Sequence, residues 1–273
     1  MLSSIKKTLN KILPSSFLYL LRVLYYKLYS LLTYRKGRAS GFRKWTQSNF
    51  NKTDIVISND LDDYFENHKE GHGIWKWKHY FEIYDSHFNK FRNEPVTILE
   101  IGIYSGGSLE MWKTYFGNKC NIIGLDIEES CKVYNEERVS VYIGDQADRS
   151  FWKKLRKEVK SVDIIIDDGG HLPHQQLVTL EESLDMLSPG GVYLCEDITG
   201  KFNPFLSYLD GLKRALHDDS QKHSKGGVQP NFFQKMIKSV TYYPFVVVLE
   251  KRDRELERLH SPKRGTIWQP FFE

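Results

Sequence analysis

The sequence predicts an α/β fold built on a doubly wound sheet, with a helical extension at its N-terminal side. Five apolar runs rich in Val, Ile and Leu recur between residues 96 and 195. Most of these runs end abruptly in acidic residues. Because strands of a parallel sheet are buried on both faces, they read as continuous apolar runs. Acids at the ends of such runs place polar chemistry at one edge of the predicted sheet.

The first strand begins at Val96 and leads into a glycine-rich turn. A helix is expected over 109–116, with Ser108 as its cap. Glycine lets the backbone approach a ligand and adopt positive φ, so Gly102 and Gly106 fit a nucleotide-binding loop, although each could serve only the turn. The spacing E-x-G-x-x-x-G-G differs from the G-x-G-x-x-G of dinucleotide-binding proteins. This difference counts against NAD and FAD.

Two further strands are expected at 121–126 and from Val139 onward. Asp126 ends the first of them, where an acid can accept hydrogen bonds from both hydroxyls of a ribose. A helix cap is the alternative role for that residue. The next strand ends in Asp145 and Gln146, a second polar pair. This succession is typical of the cofactor-binding half of a doubly wound sheet.

The reactive side chains follow the fourth and fifth apolar runs, at 164–166 and 191–195. In an open α/β sheet, ligands bind outside the carboxyl ends of the strands, so groups placed there can meet a cation or a substrate proton. Solvated loop acids with a capping histidine are the plain alternative for such a pattern. In chain order the groups are Asp167, Asp168, His171, Glu196 and Asp197.

Each of these five residues has an expected role. Asp168 and Asp197 offer hard oxygen ligands that suit Mg²⁺ or Mn²⁺, and Glu196 is the reserve ligand. His171 lies three residues beyond Asp168, and an imidazole pKa near ~6.5 suits a general base at neutral pH. Asp167 is expected to hold backbone amides of the loop rather than the metal.

The segment after the fifth strand is expected to cover the site. A helix is predicted around 205–217, followed by a connection rich in glycine and lysine at 220–230. Because this connection lacks apolar periodicity and follows the metal strand, it is a natural lid over the acceptor. Two last strands within 240–251 form an expected antiparallel hairpin that closes the sheet.

Length and cysteine content limit the class of protein. A chain of 273 residues can bury one large α/β core with room for extensions. The three cysteines are odd in number and lack metal-ligand spacing, which indicates a reduced, cytoplasmic environment. Cys195 falls in an apolar run and is expected to be a buried small hydrophobe.

Charge is unevenly distributed along the chain. Residues 1–53 hold eleven lysines and arginines and no acidic residue, whereas the remainder holds 28 basic and 35 acidic residues. Within this basic arm, the stretch 17–33 is dense in Leu and Tyr but contains Arg22 and Lys27. Because a charge near the centre of a spanning helix is costly, the arm fits better on an anionic membrane surface, through residues 1–44.

Other roles for the arm are a helix that docks on the catalytic domain or on a second subunit. A signal peptide fits less well, since no small-residue cleavage site follows the apolar stretch. The composition therefore divides the chain into four parts. These are the basic arm at 1–53, an aromatic-rich helical cap at 54–95, a catalytic domain at 96–251 and a charged tail at 252–273.

The helical cap contains many aromatic and histidine side chains without zinc-ligand spacing. Tyr80, Phe81, Tyr84 and Phe88 suit one face of a helix, which predicts packing against the sheet. The functional interpretation is a lid over the cofactor, with His79 or Tyr80 touching it.

Six sequence blocks, taken together, resemble the class I S-adenosylmethionine-dependent methyltransferases. More narrowly, they are similar to metal-dependent sugar O-methyltransferases of the macrolide-sugar and methylmannose-polysaccharide type. The resemblance covers about 75–251, roughly two-thirds of the chain, and Gly170 replaces the serine usual in one block. The blocks are W-K-H-Y-F-E-I-Y from Trp77, E-I-G from Glu100, G-G-S-L-E-M-W from Gly106, G-D-Q from Gly144, D-D-G-G-H from Asp167 and E-D from Glu196.

The resemblance implies a Rossmann-like methyltransferase sheet, S-adenosylmethionine and Mg²⁺ as cofactors, and methyl transfer to a hydroxyl of a sugar in a glycan or glycolipid. His171 would be the base, and Asp168, Asp197 and Glu196 the metal ligands. Asp145 would contact the adenine amino group. The expected cofactor-binding residues are Glu100, Gly102, Ser105, Gly106, Asp126, Asp145, Gln146 and Asp167.

Two other classes compete with this interpretation. A nicotinamide-dependent sugar oxidoreductase is disfavoured by the glycine spacing and by the absence of a Tyr-x-x-x-Lys pair near the strand ends. A catalytically idle scaffold is disfavoured because Asp168, His171 and Asp197 are all present. The basic arm could contact phosphates, but nucleic acid is not expected as a partner because the catalytic part is net acidic.

Overall fold

The computed structural model of the chain describes residues 15–46, 58–223, 227–262 and 264–265. It divides into two compact units, with the division between Val56 and Ile57. The parts of the predicted arm at 1–14 and 47–53, three residues of the predicted lid at 224–226 and the end of the tail at 266–273 lie outside the described residues.

The larger unit contains an α/β fold in which most consecutive strands of the parallel sheet are separated by a helix. Its helices are α2 (Asp60–Asn67), α3 (Tyr80–Phe88), α4 (Gly107–Phe116), α5 (Arg149–Glu158), α6 (Pro173–Ser183), α7 (Pro204–Leu216) and α8 (Phe232–Met236). Its strands are β1 (Val96–Ile101), β2 (Cys120–Asp126), β3 (Val139–Ile143), β4 (Val162–Asp167), β5 (Leu187–Cys195), β6 (Lys222–His223), β7 (Gly227–Val228), β8 (Ile237–Tyr243), β9 (Val246–Lys251) and β10 (Leu259–His260).

Seven strands form the main sheet in the order β3-β2-β1-β4-β5-β9-β8. The five strands from β3 to β5 are parallel, whereas β9 pairs antiparallel with both β5 and β8. The predicted doubly wound sheet with a closing antiparallel hairpin is therefore confirmed. The strand order reverses between β1 and β4, which creates the crevice where ligands bind in such sheets.

Successive residues of the central strands face two different apolar cores. Ile98 of β1 packs in a cluster with side chains of α2, α3 and α4, whereas its neighbour Leu99 packs with side chains of α5, α6 and α7. Because side chains alternate between the faces of a strand, continuous apolar runs are needed to cover both faces. Cys195 is fully buried in the second core, as predicted.

The aromatic side chains of α3 are buried, as the helical spacing predicts. Tyr80, Phe81, Tyr84 and Phe88 are each at most 1% exposed. The rings of Tyr84 and Phe88 pack edge-on against Trp112 of α4. This packing holds the cap helix against α4.

Some local predictions need correction. Helix α4 is capped by Gly106, which has φ +78°, and not by Ser108, which lies buried in the first turn. The sequence analysis does not predict helices α5 and α6. The expected irregular connection at 220–230 contains the short strands β6 and β7, which form a small sheet with β10.

The smaller unit contributes one described element, the helix α1 (Ser15–Thr46), of 32 residues. Apolar side chains that recur at four-residue spacing on it are largely exposed, among them Leu20, Leu24 and Leu28. Among the described residues, no helix is long and apolar enough to cross a membrane.

Candidate active site

A cavity of about 890 Å³ opens at the carboxyl ends of the parallel strands. Nine of the twelve site residues predicted from the sequence line it, whereas Glu100, Gly106 and Asp167 do not. The nine are Gly102, Ser105, Asp126, Asp145, Gln146, Asp168, His171, Glu196 and Asp197.

The turn after β1 requires glycine at two positions for different reasons. Gly102 has φ +85°, and a Cβ there would lie 2.1 Å from the carbonyl oxygen of Asp168. Gly106 has φ +78°, and a Cβ there would lie 2.7 Å from the Tyr134 ring. Gly102 thus lets the first loop touch the loop after β4, while Gly106 serves the helix cap and not the cavity wall.

Asp126 and Asp145 lie at the cavity on the β2 and β3 side. Asp126 is 8% exposed, and its two oxygens accept hydrogen bonds from the backbone N–H groups of Tyr104 (3.0 Å) and Glu128 (3.0 Å). Asp145 is exposed and accepts a hydrogen bond from the N–H of Ala147 at 2.8 Å. Asp126 therefore shapes the loop after β1 in addition to any contact with a ligand.

Gln146 and Asp167 form a buried hydrogen-bond network under the cavity. The amide nitrogen of Gln146 donates to Asp167 Oδ1 and to Thr179 Oγ1, both at 2.9 Å. Its amide oxygen accepts the N–H of Gly170 at 2.7 Å. Burial raises the pKa of Asp167 to about 6. The amide of Gln146 is thus engaged within the protein, and this network positions the loop that carries Asp168 and His171.

Glu100 is fully buried in β1 and lies behind the cavity wall. Its Oε1 accepts a hydrogen bond from Trp112 Nε1 at 3.0 Å, whereas Oε2 has no hydrogen-bond partner among the described residues. Burial raises the pKa of Glu100 to about 7, and the nearby Lys76 opposes that shift. In this arrangement the Glu100 carboxyl group does not line the cavity, and it can influence the site only indirectly.

Asp168, His171 and Asp197 converge at the other end of the cavity. One possible ligand atom from each lies within 4.8 Å of those from the other two, and His171 Nε2 is 3.7 Å from Asp197 Oδ2. His171 and Asp197 have φ values of +55° and +52°. Left-handed backbone at residues other than glycine is uncommon and concentrates at functional sites. The backbone is therefore strained where these two side chains enter the cavity.

Glu196 has partners that the sequence did not predict. Its carboxylate accepts hydrogen bonds from Lys76 Nζ at 2.9 and 3.1 Å and from the Tyr84 hydroxyl at 2.5 Å. The same Lys76 Nζ lies 2.5 Å from Asp168 Oδ2. Glu196 is therefore bound within the protein, and its reserve role as a metal ligand, which remains a prediction, would require it to exchange the Lys76 contact.

Lys76 is the residue that sequence reasoning missed most clearly. Its side chain is 3% exposed and lies between Asp168 and Glu196. Burial alone would lower its pKa, but the surrounding carboxylates raise the pKa above its usual value. The available signal was a lysine among tryptophans before the first strand. Charged side chains are almost never fully buried unless paired, so burial of this lysine would require acidic partners.

The same segment places two more donors on Asp197. Trp77 Nε1 and the Tyr80 hydroxyl donate to Asp197 Oδ1 at 3.0 and 2.8 Å. Tyr80 and Trp77 line the cavity, whereas His79 does not and its Nε2 lies 3.0 Å from the carbonyl oxygen of Pro244. The cap segment thus contacts the acids at the ends of β4 and β5.

Known methyltransferases are similar to this chain in sequence. An 8-demethyl-8-α-L-rhamnosyl tetracenomycin-C 2'-O-methyltransferase from Streptomyces olivaceus is 30% identical over 202 residues, which are 66% of this chain and 53% of the relative. Demethylmacrocin O-methyltransferase from Streptomyces fradiae is 32% identical, over 65% of this chain and 50% of that enzyme. The chain is a homologue of sugar O-methyltransferases. The matched enzymes are transferases rather than oxidoreductases.

A methyltransferase of known structure has a fold similar to that of this chain. The MycE methyltransferase of mycinamycin biosynthesis, in complex with Mg, SAH and mycinamycin VI, superposes with a TM-score of 0.57. The sequence identity is 28%, over 71% of this chain and 53% of MycE. The chain thus spans about half the length of these relatives. No family model matches the chain.

Proposed function

We propose that the protein is a magnesium-dependent O-methyltransferase that moves a methyl group from S-adenosylmethionine to a hydroxyl of a sugar. The observation that carries this proposal is the convergence of Asp168, His171 and Asp197 in one cavity with the glycine-containing loop after β1. A nucleoside-binding end and an acid-base end therefore lie within one crevice. By its name, the tetracenomycin relative from Streptomyces olivaceus acts on a rhamnosyl group attached to a larger molecule.

The nucleoside end of the cavity fits S-adenosylmethionine. Because Gly102 has no Cβ, the loop can pack closely against the Asp168 carbonyl. Gly102 also lines the cavity. Asp126 would hold the ribose, and Asp145, exposed at the rim, would meet the adenine. Ser105 follows in the same loop. Glu100, Gly106 and Asp167 would support this site indirectly.

The acidic end fits a hard divalent cation. Asp168 and Asp197 present carboxylate oxygens, which Mg²⁺ prefers to imidazole nitrogen. They would hold the ion, with Mn²⁺ as a substitute. Since Lys76, Trp77 and Tyr80 already bind oxygens of these two residues, both carboxylates are oriented before an ion arrives. When bound, the cofactor supplies an electrophilic methyl group and the cation supplies Lewis-acid polarisation of the acceptor hydroxyl.

His171 would accept the proton of that hydroxyl. Its side chain is 42% exposed and enters the cavity beside Asp197, so it can reach an acceptor while keeping contact with solvent. Because magnesium favours oxygen ligands, the imidazole is left for proton transfer. The carboxylate of Asp197 at 3.7 Å would stabilise the protonated ring.

A direct assay tests the proposed reaction. The protein is incubated with S-adenosylmethionine labelled in the methyl group, Mg²⁺ and octyl or methyl α-L-rhamnopyranoside. We expect label in the glycoside as a methyl ether. Label that remains in the cofactor, while calorimetry shows that the folded protein binds it, would contradict sugar methylation. Mass spectrometry of glycans and glycolipids from cells with and without the protein then identifies the natural acceptor.

We further propose that helix α1 binds an anionic membrane surface, which would place the enzyme near a lipid-linked glycan. Leu20, Leu24 and Leu28 form one exposed row on the helix, and Leu21, Tyr25 and Tyr29 form the adjoining row. The helix contains seven lysines and arginines and no acid. Apolar insertion and attraction of its cations to anionic headgroups would act together.

Liposome flotation tests this placement. The double variant Leu24→Glu, Leu28→Glu should lose binding to vesicles rich in anionic lipid. The control Ser30→Glu, Ser40→Glu adds the same charge at exposed polar positions of the same helix and should lose much less. If the unaltered protein stays in the soluble fraction at low salt, the helix is instead an element that docks on protein.

A further inference from the structure

We infer that Phe245 is a positioning residue for Asp197, and that it acts by holding the ring of Trp77. Phe245 lies in the turn between β8 and β9 and does not line the cavity. The inference rests on the proposed function, because it takes Asp197 as a metal ligand. Its consequence is that the Phe245 ring raises the affinity of the site for a divalent cation.

The turn between β8 and β9 places a bulky residue where glycine is preferred. Tyr243 pairs with Val246 in the hairpin, and the two residues between them, which form the turn, are Pro244 and Phe245. Phe245 has φ +63°. Proline at the first central position with a positive φ at the second is the pattern of a type II turn, which favours glycine or asparagine at the second. The phenylalanine therefore adopts a backbone conformation that costs free energy.

Packing of the Phe245 ring does not account for this conformation. Phe245 is 41% exposed and Trp77 is 54% exposed, and their ring centroids lie 5.6 Å apart. The stabilisation from one contact between two half-exposed rings is no larger than the free energy that left-handed backbone costs. Strained backbone is concentrated at functional sites. The conformation therefore points to a role of the ring beyond stability.

The Phe245 ring is connected to Asp197 through the cap segment. Its centroid lies 5.6 Å from the Trp77 ring and 6.3 Å from the His79 ring, and His79 Nε2 lies 3.0 Å from the carbonyl oxygen of Pro244. Trp77 Nε1 donates to Asp197 Oδ1 at 3.0 Å. Hydrogen bonds of this kind orient the carboxylates that bind metals. By restricting the indole, Phe245 keeps its N–H directed at Asp197.

The same turn also supports the backbone beside Asp197. The N–H of Ile198 donates to the carbonyl oxygen of Phe245 at 2.9 Å. Asp197 has φ +52°, so its own conformation depends on the structure around it. Phe245 thus supports Asp197 through its carbonyl and through its ring. A substitution at Phe245 removes only the ring contact, because every amino acid keeps the carbonyl.

Metal binding by the full chain tests the ring contact. Mn²⁺, which suits the same oxygen ligands as Mg²⁺, is titrated by electron paramagnetic resonance, and Tm is measured on the same samples. Phe245→Gly removes the ring and adopts the positive φ without strain. We expect its Mn²⁺ affinity to fall about tenfold, at the low end of the effect of outer-shell partners, while Tm shifts by less than about 4 °C. Phe245→Tyr keeps the ring and should bind Mn²⁺ as the unaltered protein does.

Two further variants show whether the effect belongs to the ring and passes through Trp77. Arg138 has φ +69° and does not line the cavity, so Arg138→Gly relaxes the backbone in the same way and should leave Mn²⁺ affinity unchanged. Trp77→Phe removes the hydrogen bond to Asp197. Because Phe245 acts through that bond, Phe245→Gly should weaken Mn²⁺ binding much less in the Trp77→Phe background than in the unaltered protein. Independent effects would multiply instead.

Several results would overturn the role of Phe245. They are unchanged Mn²⁺ affinity in Phe245→Gly, an equal loss in Arg138→Gly, losses that multiply in the double variant, or a fall in Tm that shows Phe245 to be a packing residue. Asp197→Asn in the same titration separates this role from the proposed function. If that variant loses Mn²⁺ affinity, the proposed metal site stands and only the role of Phe245 fails. If it binds Mn²⁺ as the unaltered protein does, the metal site fails, and this inference fails with it.

Discussion

At the scale of single residues, the site is held together by a lysine that the protein buries among acids. Lys76 contacts Asp168 and Glu196, and Tyr84 completes the partners of Glu196. Removal of one partner from a buried ion pair leaves an uncompensated charge. The free-energy cost of that charge exceeds the stabilisation that the pair provided. Lys76 is thus a positioning residue for the carboxylates.

The first prediction follows from this burial. Lys76→Met should lower the free energy of unfolding by about 3–5 kcal/mol, because two carboxylates lose their counter-ion. Lys78→Met is the matched control, since the Lys78 side chain is 50% exposed and its ion pairs with Asp62 and Glu66 lie near the surface. That variant should lose at most about 1 kcal/mol. Urea unfolding measures both, and equal losses would refute the role of Lys76.

Glu100 gives a pH-dependent prediction. Burial raises its pKa from 4.5 to about 7 in the folded protein, so the folded state keeps a proton that the unfolded state has released. This contribution to stability is complete at low pH and is lost as the pH rises from about 4.5 to about 7. Glu100→Gln should therefore gain about 3 kcal/mol over the unaltered protein between pH 4.5 and pH 8. A constant difference across that range would mean that Glu100 is charged when buried.

His171 carries the kinetic prediction. His171→Ala should lower kcat by about 10²–10⁴-fold, the usual contribution of a positioned base. The affinity for S-adenosylmethionine should change little, because the cofactor end of the cavity is formed by the loops after β1, β2 and β3. Turnover near that of the unaltered enzyme would assign the proton to another acceptor.

At the scale of elements, two loops at the carboxyl ends of the strands pack against each other. The turn after β1 and the loop after β4 meet where Gly102 contacts the backbone of Asp168. Any shift of the first loop therefore displaces a proposed metal ligand. The backbone hydrogen bond from Asp168 to the carbonyl of Ile101, at 3.0 Å, strengthens the same contact.

Glycine substitutions test this contact between loops. Gly102→Ala should lower the free energy of unfolding by about 1–3 kcal/mol from its positive φ alone, and it should weaken both metal and cofactor binding. Gly211→Ala provides the control, because a Cβ there meets nothing within 4 Å and α7 is a regular helix. It should stabilise the protein by about 0.5–1 kcal/mol. If Gly102→Ala left both ligand affinities unchanged, the two loops would not be coupled.

Regular elements with strong apolar patterns were predictable from sequence. The five parallel strands, the closing hairpin and helix α7 follow directly from runs and periods of apolar residues. Helix α5 was missed although Trp152 and Leu155 bury one face and Asp148 caps its start, because only two of its ten residues are buried. The small sheet of β6, β7 and β10 depends on pairing between distant short segments, which local patterns do not reveal.

Within the site, strand-end acids were predictable and their partners were not. Asp126, Asp168, His171 and Asp197 line the cavity because the carboxyl ends of parallel strands share one edge. Lys76 comes from a segment 92 residues before Asp168. Its position depends on how the cap packs against the sheet, and apolar patterning alone does not encode such a contact.

At the scale of the whole molecule, the chain combines a larger unit that is net acidic with a basic helix. Each of the two compact units has its own proposed task, methyl transfer for the larger and membrane binding for the smaller. The charge difference between them is encoded in the sequence, since every acidic residue follows residue 53. The two tasks can thus be tested separately, and catalysis is the central one.

The most direct test is the metal dependence of methyl transfer. Protein treated with EDTA and then dialysed is supplied with labelled S-adenosylmethionine and octyl α-L-rhamnopyranoside, with and without Mg²⁺. We predict no transfer without the ion, full transfer with Mg²⁺ or Mn²⁺, and none in Asp168→Asn or Asp197→Asn, while all forms still bind the cofactor. Full transfer by the chelated protein, or by either variant, would contradict the proposal that these two aspartates hold a catalytic metal.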